Sequence, residues 1–367
     1  MIISGIKLLD ASGEPWDGSS GSQKQIVVLA SGGVDSGAAM LLLQQAGWEI
    51  LALTMKVPVL NGGADETCGT EAADVCGKLG IPHYFVEVRE AFERLVVGPF
   101  RQAYADGRTP SPCVDCNTHL KLGLMWEFAE NQFGIKRLAT GHYARVVHRN
   151  GGSFLTRASD TNRDQSYFLY GVSRQRLPDL VLPLGDLRKD EVRKIAETAD
   201  LPIAQREDSM ELCFAGGGDY RTALGGESGS RGPILDSAGN TIGEHRCIEN
   251  YTVGQRRGLR IAAREALYVI SIDPVGNSIT VGPEDEAYKH EVRAQEINVL
   301  VQDRFADGQK LYGKIRSQGD PAPCSIEDAD AWSLAVRFEQ AQFAPTPGQH
   351  LVLYDADGTV IGGGTIC

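Results

Sequence analysis

The sequence predicts an α/β protein in which a parallel-sheet domain is followed by a small central domain and a C-terminal antiparallel β-barrel. From Gln25 to about Leu201, short β-branched apolar runs alternate with helix-forming stretches, which is typical of βα units with parallel strands. Beyond about residue 206, glycines and turn pairs such as Gly239-Asn240 separate short strand candidates. Evenly spaced short strands of this kind indicate an antiparallel barrel or sandwich.

The elements follow in order along the first half. Strands are predicted at Ile26–Leu29, Ile50–Thr54, His83–Val88 and Arg137–Thr140, and helices at 36–46, Glu66–Leu79, Ala91–Ala105 and Leu120–Phe133. Strand candidates in the second half are Tyr268–Ile272, Ser278–Val281, Leu311–Ile315, Leu334–Phe338, Leu351–Tyr354 and Val360-Ile361. We therefore predict a flexible extension over 1–23, a parallel-sheet domain over 24–205, a connecting domain over 206–275 and the barrel over 276–367.

Composition narrows the class of protein. The chain has 367 residues and a net charge of −12, which argues against a uniformly basic nucleic-acid binder but leaves room for local basic clusters such as Arg256-Arg257 with Arg260. No apolar run reaches the length of about 20 residues that spans a bilayer, and no secretory signal is visible. The sequence thus predicts a cytoplasmic protein without membrane partners. Its eight cysteines are then expected to be reduced thiols, metal ligands or catalysts rather than structural disulfides.

The most informative motif is Ser31-Gly32-Gly33-Val34-Asp35-Ser36, between the first predicted strand and the first predicted helix. Such a turn directs backbone N–H groups and a helix N-terminus at one point, which makes an anion site. Glycines let the backbone approach a phosphate, serines add hydroxyl donors, and Asp35 can hold Mg²⁺ or orient a ligand. The motif is not a Walker loop. It resembles the signature of the PP-loop pyrophosphatases, which implies cleavage of ATP to AMP and pyrophosphate.

Ligands of parallel sheets lie at the carboxyl ends of the strands. Met55 and the pair Gly141-His142 end predicted strands, so we expect them beside the serine–glycine motif.

Three cysteines form the second candidate constellation. Cys113 and Cys116 follow a proline-rich segment, which predicts an extended loop entering a helix near Leu120 and favours reactive thiolates there. A lone CxxC pair is compatible with a redox pair, with half of a zinc site or with chance. A structural zinc site needs four ligands, and the sequence contains no second CxxC pair to supply them. Cys213 lies between Leu212 and Phe214, and its local sequence favours a buried packing role.

A longer series of motifs carries a resemblance to a known family. In order, the chain contains SGGVDS, TPSPCVDCN, ATGHY, DQSYFL, DS with CF, YTVGQRRGL and GGGTI, over about residues 24–367. This series resembles the tRNA-specific 2-thiouridylases, the MnmA family, whose PP-loop domain is of the adenine nucleotide alpha hydrolase-like type. The resemblance implies that ATP adenylates the C2 oxygen of the wobble uridine and that sulfur from a protein persulfide then displaces AMP.

Residue roles follow from the resemblance by position. Cys116 matches the nucleophile and Cys213 the persulfide carrier, which implies a Cys116–Cys213 disulfide after sulfur release, while Asp35 and His142 match residues near the reacting groups. The implied ATP contacts are Ala30, Ser31, Gly32, Gly33, Val34, Asp35, Ser36, Met55 and Gly141. The implied tRNA contacts are Ser111, Pro112, Cys113, Arg163, Asp164, Gln165, Arg316, Ser317 and Gln349. The implied cofactors are ATP and Mg²⁺, and the implied partners are tRNA and a sulfur-donor protein.

Three positions depart from the family pattern. Ser111 stands where the family usually has Asn, Ser317 replaces an expected aromatic residue, and Cys113 occupies a position that is Asp in some members and Cys in others. With Cys113, Cys116 and Cys213 converging, three thiolates could instead hold a [4Fe–4S] cluster, a possibility that cysteine spacing leaves open. A different PP-loop ligase acting on a small molecule and a non-catalytic RNA-binding paralogue are two competing hypotheses.

Overall fold

A mainly parallel β-sheet organises the N-terminal half. The computed structural model describes residues 6–12, 24–58, 69–206, 212–215, 224 and 229–367. The six strands of this sheet lie in the order β1-β4-β3-β2-β5-β8, and only β1 runs antiparallel to its neighbour. Their bounds are β1 Lys7–Ser12, β2 Gln25–Leu29, β3 Glu49–Lys56, β4 His83–Glu87, β5 Leu138–Ala139 and β8 Leu180–Val181. A separate hairpin pairs β6 Ala144–Arg149 with β7 Gly152–Arg157.

Helices connect the strands, as parallel pairing requires. They are α1 Val34–Gln45, α2 Thr70–Leu79, α3 Arg89–Phe92, α4 Gly98–Ala105, α5 Pro112–Asp115, α6 Met125–Phe133, α7 Ser166–Leu169 and α8 Lys189–Thr198. Two π-helical segments, Glu93–Val97 and Cys116–Leu124, join α3 to α4 and α5 to α6. Apolar side chains of β2 and β3 pack with those of α1, α2 and α8 in one core that includes Val28, Met40 and Val192. Among the described residues, no helix is long and apolar enough to cross a membrane.

The C-terminal half is built mainly from antiparallel strands, with one parallel pair in its four-stranded sheet. A four-stranded sheet in the order β10-β9-β12-β11 precedes a closed barrel in the order β13-β16-β15-β14-β17-β18. The bounds are β9 Gly232–Leu235, β10 Thr241–His245, β11 Tyr268–Asp273, β12 Ser278–Gly282, β13 Tyr288–Val299, β14 Lys310–Lys314, β15 Ala322–Ala329, β16 Ser333–Phe343, β17 His350–Tyr354 and β18 Val360–Ile366. The barrel encloses its own core, which includes Leu311, Phe338 and Leu353. The predicted parallel sheet, central domain and C-terminal barrel are thus confirmed.

The chain divides into two units that are discontinuous in sequence. Unit 1 comprises residues 1–95 and 113–218, and unit 2 comprises 96–112 and 219–367. Within unit 2, Gly107 lies so close to Ile272 that a Cβ there would stand 2.8 Å from the Ile272 side chain. The segment 96–112 therefore belongs with the β-rich half, although the alternation of strands and helices along the sequence places it in the parallel-sheet domain.

Two predicted domain limits are corrected by the strand pairing. The predicted flexible extension over 1–23 contains an ordered element, because Lys7–Ser12 forms an antiparallel edge strand on β4, while 1–5 and 13–23 lie outside the described residues. The predicted barrel boundary at 276 falls inside the four-stranded sheet, because β12 pairs with β11 and β9, and the barrel begins at Tyr288. A single short turn joins β11 to β12, so sequence alone offered no linker to mark the true boundary.

Candidate active site

The serine–glycine motif forms a preorganised loop between β2 and α1. Gly33 precedes the first residue of α1 in an extended conformation, so the N–H groups of the first helical turn face outward. The Ser36 hydroxyl donates to the Gly33 carbonyl at 3.0 Å and lies 3.2 Å from the Ser31 hydroxyl. The Ser31 N–H donates to the same Ser36 oxygen at 3.3 Å. These short-range bonds hold the loop open for an anionic group.

Two glycines keep this loop accessible. Gly32 has a φ of +77°, a left-handed conformation that favours glycine. A Cβ at Gly141 would stand 2.8 Å from both the Asp35 carbonyl carbon and the Ser36 nitrogen, so the strand end that carries Gly141 touches the loop backbone. The loop, the helix N-terminus and Gly141 therefore form a cradle that fits the phosphates of ATP and that a side chain would fill.

Asp35 has its carboxylate engaged by the protein. Lys189 donates from Nζ to Asp35 Oδ1 and Oδ2 at 2.8 and 2.9 Å, and the Tyr143 hydroxyl donates to Oδ1 at 2.7 Å. The Lys189 side chain is only 11% exposed, which makes this a largely buried ion pair. Asp35 thereby holds a lysine at the phosphate loop.

Sequence reasoning did not single out Lys189 and Tyr143 as site residues. Tyr143 is the last residue of the ATGHY motif. Lys189 belongs to a cluster of basic residues, and such clusters more often form a solvent-exposed surface than part of a site. Only the fold reveals that Lys189, the first residue of α8, reaches the loop after β2.

His142 and Met55 also end strands at this edge of the sheet. Met55 is half-buried in β3, next to Thr54, whose hydroxyl donates to the Ala30 carbonyl at 2.8 Å. His142 Nδ1 lies 2.8 Å from the Thr140 hydroxyl. Burial, with a smaller contribution from the charge of Lys121, lowers the pKa of His142 to about 3. His142 is therefore neutral at physiological pH and can act there as a hydrogen-bonding group.

Cys113 and Cys116 lie on a helix rather than on the expected extended loop. The helix begins at Pro112, so Cys113 falls in its first turn and Cys116 opens the π-helical segment Cys116–Leu124. Cys113 is exposed and Cys116 is buried. Asn117, also buried, donates from Nδ2 to the Phe168 carbonyl at 3.3 Å, while its Oδ1 has no hydrogen-bond partner among the described residues. A π-helical turn is rare and is frequent at functional sites.

Cys213 is exposed, in contrast to the packing role that its local sequence favours. The neighbouring Phe214 provides the anchor, because it is buried and its ring stacks edge-on against Phe92 with centroids 5.7 Å apart. The Ala215 N–H donates to the Leu212 carbonyl at 2.9 Å and closes a turn around Cys213. The adjoining motif residues 207–211 and 216–218 lie outside the described residues.

The three thiols share one electrostatic environment. Loss of water around each sulfur is the largest cause that raises its pKa, and for Cys213 the pKa rises to about 12. The charges of Cys116 and Cys113 raise the pKa of Cys213 further, so the three thiols are coupled electrostatically. The expectation of reactive thiolates at this helix N-terminus is not met in this conformation, because desolvation raises the pKa of each thiol.

Lys121 opposes this effect at all three cysteines. Its positive charge lowers the pKa of Cys113, Cys116 and Cys213, and it also acts on His142. Lys121 follows Cys116 by five residues within the π-helical segment, and i and i+5 are the residues joined by hydrogen bonds in that helix. Lys121 is therefore a site residue that the sequence pattern missed, since a single lysine on a helix carries no signal of its own.

The predicted contact Arg163-Asp164-Gln165 is partly structural. The Asp164 side chain is 1% exposed and pairs with Arg157 at 3.1 Å. Its Oδ2 also accepts a hydrogen bond from the Ser166 hydroxyl at 2.9 Å. Gln165 Oε1 accepts from the Tyr143 N–H at 2.9 Å, which ties this turn to the residue that contacts Asp35. Arg163 is exposed. Asp164 and Gln165 thus hold the turn in place, and Arg163 is the member presented to solvent.

The other predicted tRNA contacts lie in unit 2. Gln349 donates from Nε2 to the Thr109 carbonyl at 2.8 Å. A Cβ at Gly348 would stand only 3.0 Å from the carbonyl carbon and oxygen of Thr109. The barrel thereby holds the backbone just before Ser111 and Pro112, which are half-buried and buried. Arg316 donates to the carbonyl of Phe343 and, at 3.4 Å, to that of Ala344, and its neighbour Ser317 accepts from Lys314 at 3.0 Å.

The remaining described cysteines are buried, except Cys367. Cys76, Cys247 and Cys324 are buried, whereas Cys367 is exposed and Cys68 lies outside the described residues. Across the described part of the chain, no group of three His, Cys, Asp or Glu side chains is placed to hold a metal ion.

A parallel sheet with this phosphate loop defines the PP-loop class of ATP-using enzymes. Within that class, the chain belongs to the tRNA-specific 2-thiouridylase (MnmA) family. Family profiles described as "tRNA methyl transferase HUP domain", "tRNA methyl transferase PRC-barrel domain" and "Aminomethyltransferase beta-barrel domain" match residues 24–217, 225–283 and 289–366. The predicted resemblance is thus confirmed, and the PP-loop fold implies ATP with Mg²⁺.

Named relatives match over nearly their full length. The tRNA-specific 2-thiouridylase MnmA of Desulforamulus reducens is 39% identical over 94% of this chain and 97% of its own. The protein of the same name from Clostridioides difficile is 36% identical over 94% of this chain and 98% of its own. A solved structure, the U34-tRNA thiolase NcsA from Methanococcus maripaludis with its [4Fe–4S] cluster, is 15% identical over 55% of this chain and 63% of that chain, with a TM-score of 0.36.

Proposed function

We propose that this chain is an ATP-dependent tRNA uridine 2-sulfurtransferase that thiolates C2 of the wobble uridine. The observation that carries the proposal is the grouping of Cys116, Cys213 and Lys121 in the same unit as the phosphate loop. The family relatives, named tRNA-specific 2-thiouridylases, support the same reaction. We further propose that the enzyme works in the cytoplasm with a sulfur-donor protein.

The first step is adenylation. A urea-like C2 carbonyl is a poor electrophile, so its oxygen attacks the α-phosphorus of ATP, a bond forms between them, and pyrophosphate leaves. The N–H groups at the start of α1 and the cradle lined by Gly141 are suited to hold the phosphates during this exchange. Lys189, fixed by Asp35 at 2.8 Å, supplies a positive charge at the loop where negative charge moves.

Sulfur transfer completes the reaction. The terminal sulfur of a Cys213 persulfide attacks C2, and AMP leaves with the former C2 oxygen. The Cys116 thiolate then attacks the Cys213 sulfur, which leaves the outer sulfur on the base and forms a Cys116–Cys213 disulfide. A thiol reductant must reopen that disulfide before the next turnover. His142, which is neutral because burial lowers its pKa to about 3, is suited to hydrogen-bond the reacting groups without adding charge.

The target base must leave the anticodon stack to reach these thiols, which implies base flipping. We propose that Ser111, Pro112 and Cys113 face the flipped base, with Ser111 in place of the more usual Asn. Arg163, Arg316, Ser317 and Gln349 remain proposed tRNA contacts. In the structure, Arg316 and Gln349 bind backbone carbonyls, so they would act on tRNA by ordering the surface beside it.

Loss of either thiol tests the assignment. Purified protein, unmodified tRNA, ATP and a persulfide donor should yield 2-thiouridine, which nucleoside mass spectrometry detects. Cys116→Ser and Cys213→Ser should each reduce product formation by at least a thousandfold, since neither hydroxyl can carry or release the sulfur. Cys367→Ser, which changes another exposed thiol, is the matched control and should retain wild-type activity. Full activity in either active-site variant would refute its role.

An iron–sulfur form of the same reaction is the second candidate mechanism. Protein purified anaerobically should be colourless and active. A broad brown absorption that disappears in Cys113→Ala together with activity would instead establish the cluster.

A further inference from the structure

The end of the motif YTVGQRRGL and the residues that follow it line a basic surface hollow that has no role in the proposed reaction. The hollow has a volume of about 300 Å³ and is lined by residues between Arg256 and Leu267 of unit 2. Arg256, Arg260 and Arg264 line it and are exposed. A single acidic residue, Glu265, lies among the lining residues.

The loop is built so that arginines face outward. Leu259 is buried, and Ile261 and Leu267 pack partly buried against the same core of the four-stranded sheet. The Gln255 side chain accepts from the Thr252 N–H at 3.1 Å and donates to the Arg257 carbonyl at 2.8 Å, which fixes the turn before the hollow. The apolar residues thus anchor the loop to the domain, and the intervening arginines remain at its surface.

Ion pairs among the described residues do not account for these arginines. Within the described ranges, no carboxylate lies within 4.0 Å of Arg256, Arg260 or Arg264, although the whole chain carries a net charge of −12. Arg260 also adopts a φ of +57°, a left-handed conformation that is unfavourable for a non-glycine residue. Unneutralised guanidinium groups around one hollow favour a polyanionic ligand, because each can bind a phosphate through paired N–H groups.

The position of the loop within unit 2 indicates which polyanion. Thr252 contacts Thr109, with 3.2 Å between their hydroxyl oxygens, just ahead of the segment proposed to face the target base. At Gly254 a Cβ would stand 2.6 Å from the Ala344 side chain, and Ala344 carries one of the carbonyls that Arg316 binds. The turn that precedes the hollow therefore contacts two segments that lie beside proposed tRNA contacts.

We infer that the hollow lined by Arg256, Arg260 and Arg264 binds the phosphodiester backbone of tRNA and positions the anticodon arm for thiolation. The inference rests on the proposed function, since it assigns a further part of the same substrate. Contacts to phosphate carry little sequence information but supply affinity and register. The hollow should accordingly affect tRNA binding and leave ATP binding unchanged.

A charge-matched comparison tests the inference. The hollow variant combines Arg256→Gln, Arg260→Asn and Arg264→Gln, with Asn chosen because it tolerates a positive φ. The control variant combines Arg231→Gln, Arg293→Gln and Arg337→Gln, which removes three exposed arginines that each pair with a glutamate. Both variants change the net charge by the same amount, so a general electrostatic effect would affect them equally.

Affinity for unmodified tRNA is measured by fluorescence anisotropy over a range of salt concentrations. We expect the hollow variant to bind tRNA at least tenfold more weakly at physiological salt, with the slope of log K against log salt reduced by about two, since each phosphate contact contributes about 0.7 to 0.9. The KM for tRNA should rise while kcat at saturating tRNA stays near that of the wild type. The control variant should remain within twofold.

Equal affinity and equal salt slope in the two variants would overturn the inference. The same titrations distinguish this failure from failure of the proposed function, because wild-type protein that neither binds nor thiolates tRNA would refute the function itself. If the hollow variant loses thermal stability, Arg264→Glu alone supplies a second test, with Arg337→Glu as its control. An unchanged tRNA affinity in Arg264→Glu also contradicts the inference.

Discussion

At the scale of single residues, positively charged side chains in the site stabilise negative groups that are partly removed from water. Loss of water around the sulfur raises the pKa of the Cys116 and Cys213 thiols, yet the thiolate is the form that reacts. Lys121 lowers the pKa of both, so one side chain counters the desolvation of two sulfurs. Opposite charges are also paired at the phosphate loop, where the partly buried Asp35 carboxylate lies 2.8 Å from the Lys189 ammonium group.

Removal of the Lys121 charge should make both thiols less reactive. In Lys121→Met, we expect the pKa of the Cys116 and Cys213 thiols to rise further, because an uncharged side chain no longer stabilises the thiolate. Alkylation of each thiol by iodoacetamide, followed by peptide mass spectrometry, should slow by about tenfold at neutral pH and recover as the pH is raised.

Two controls accompany this prediction. Lys121→Arg keeps the charge and should alkylate at close to the wild-type rate. Alkylation of the exposed Cys367 should be the same in all three proteins. Identical rates at Cys116 in Lys121→Met and in the wild type would show that the lysine does not act on the thiols.

At the scale of elements, the site depends on close backbone approach at two points. The strand end at Gly141 touches the loop before α1, and Gly171 lies so near the π-helical segment that a Cβ would clash with the Thr118 side chain. The π-helical segment itself offsets the face of the helix so that Lys121 follows Cys116 by five residues. Glycine and helix geometry, rather than additional side chains, bring these elements into register.

Gly141→Ala should disable the phosphate loop without unfolding the protein. A methyl group there would stand 2.8 Å from the Asp35 and Ser36 backbone, so the loop must move away from the strand. We expect ATP affinity, measured by equilibrium dialysis, to fall at least tenfold. Gly77→Ala is the control, because nothing lies within 4 Å of a Cβ at that helical position and the change should stabilise α2 by about 0.5–1 kcal/mol. Wild-type ATP affinity in Gly141→Ala would contradict the close approach.

At the scale of the whole molecule, buried neutral histidines occur in both units. Burial lowers the pKa of His83 to about 4 and of His142 to about 3 in unit 1, and that of His350 to about 4 in unit 2. The unfolded chain binds a proton at each of these residues near pH 6.5, whereas the native chain does not. Stability should therefore be complete above pH 6.5 and fall as the pH decreases toward 4.

The contribution of His350 can be isolated in the barrel. Each such histidine changes the free energy of unfolding by up to about 1.4 kcal/mol per pH unit in this window. Between pH 6.5 and 5.0, His350→Gln should therefore show a shallower decrease of the thermal midpoint than the wild type. His290→Gln, at an exposed barrel position, should follow the wild-type slope. Parallel curves for His350→Gln and the wild type would rule out a buried neutral histidine at this position.

The sequence was sufficient for the order of strands and helices near the phosphate loop, because βα units and glycine turns are local patterns. Strands β2, β3, β4 and β5 and the loop of residues 31–36 follow the predicted places. Strands β13 and β15 of the barrel were missed, since their polar outer faces conceal the alternation of buried residues. The helix that begins at Pro112 was missed in part as well, because prolines before a CxxC pair favour extended backbone.

By itself, the sequence determined the family, the PP-loop and the identity of the candidate thiols, because these depend on motifs that stand contiguously in the chain. Only the tertiary structure decided that Lys189 pairs with the Asp35 carboxylate and that the charge of Lys121 acts on three cysteines. It also decided that desolvation raises the pKa of these thiols rather than lowering it. The physical reason is that desolvation and charge pairing depend on which distant segments pack together. No local pattern encodes that information.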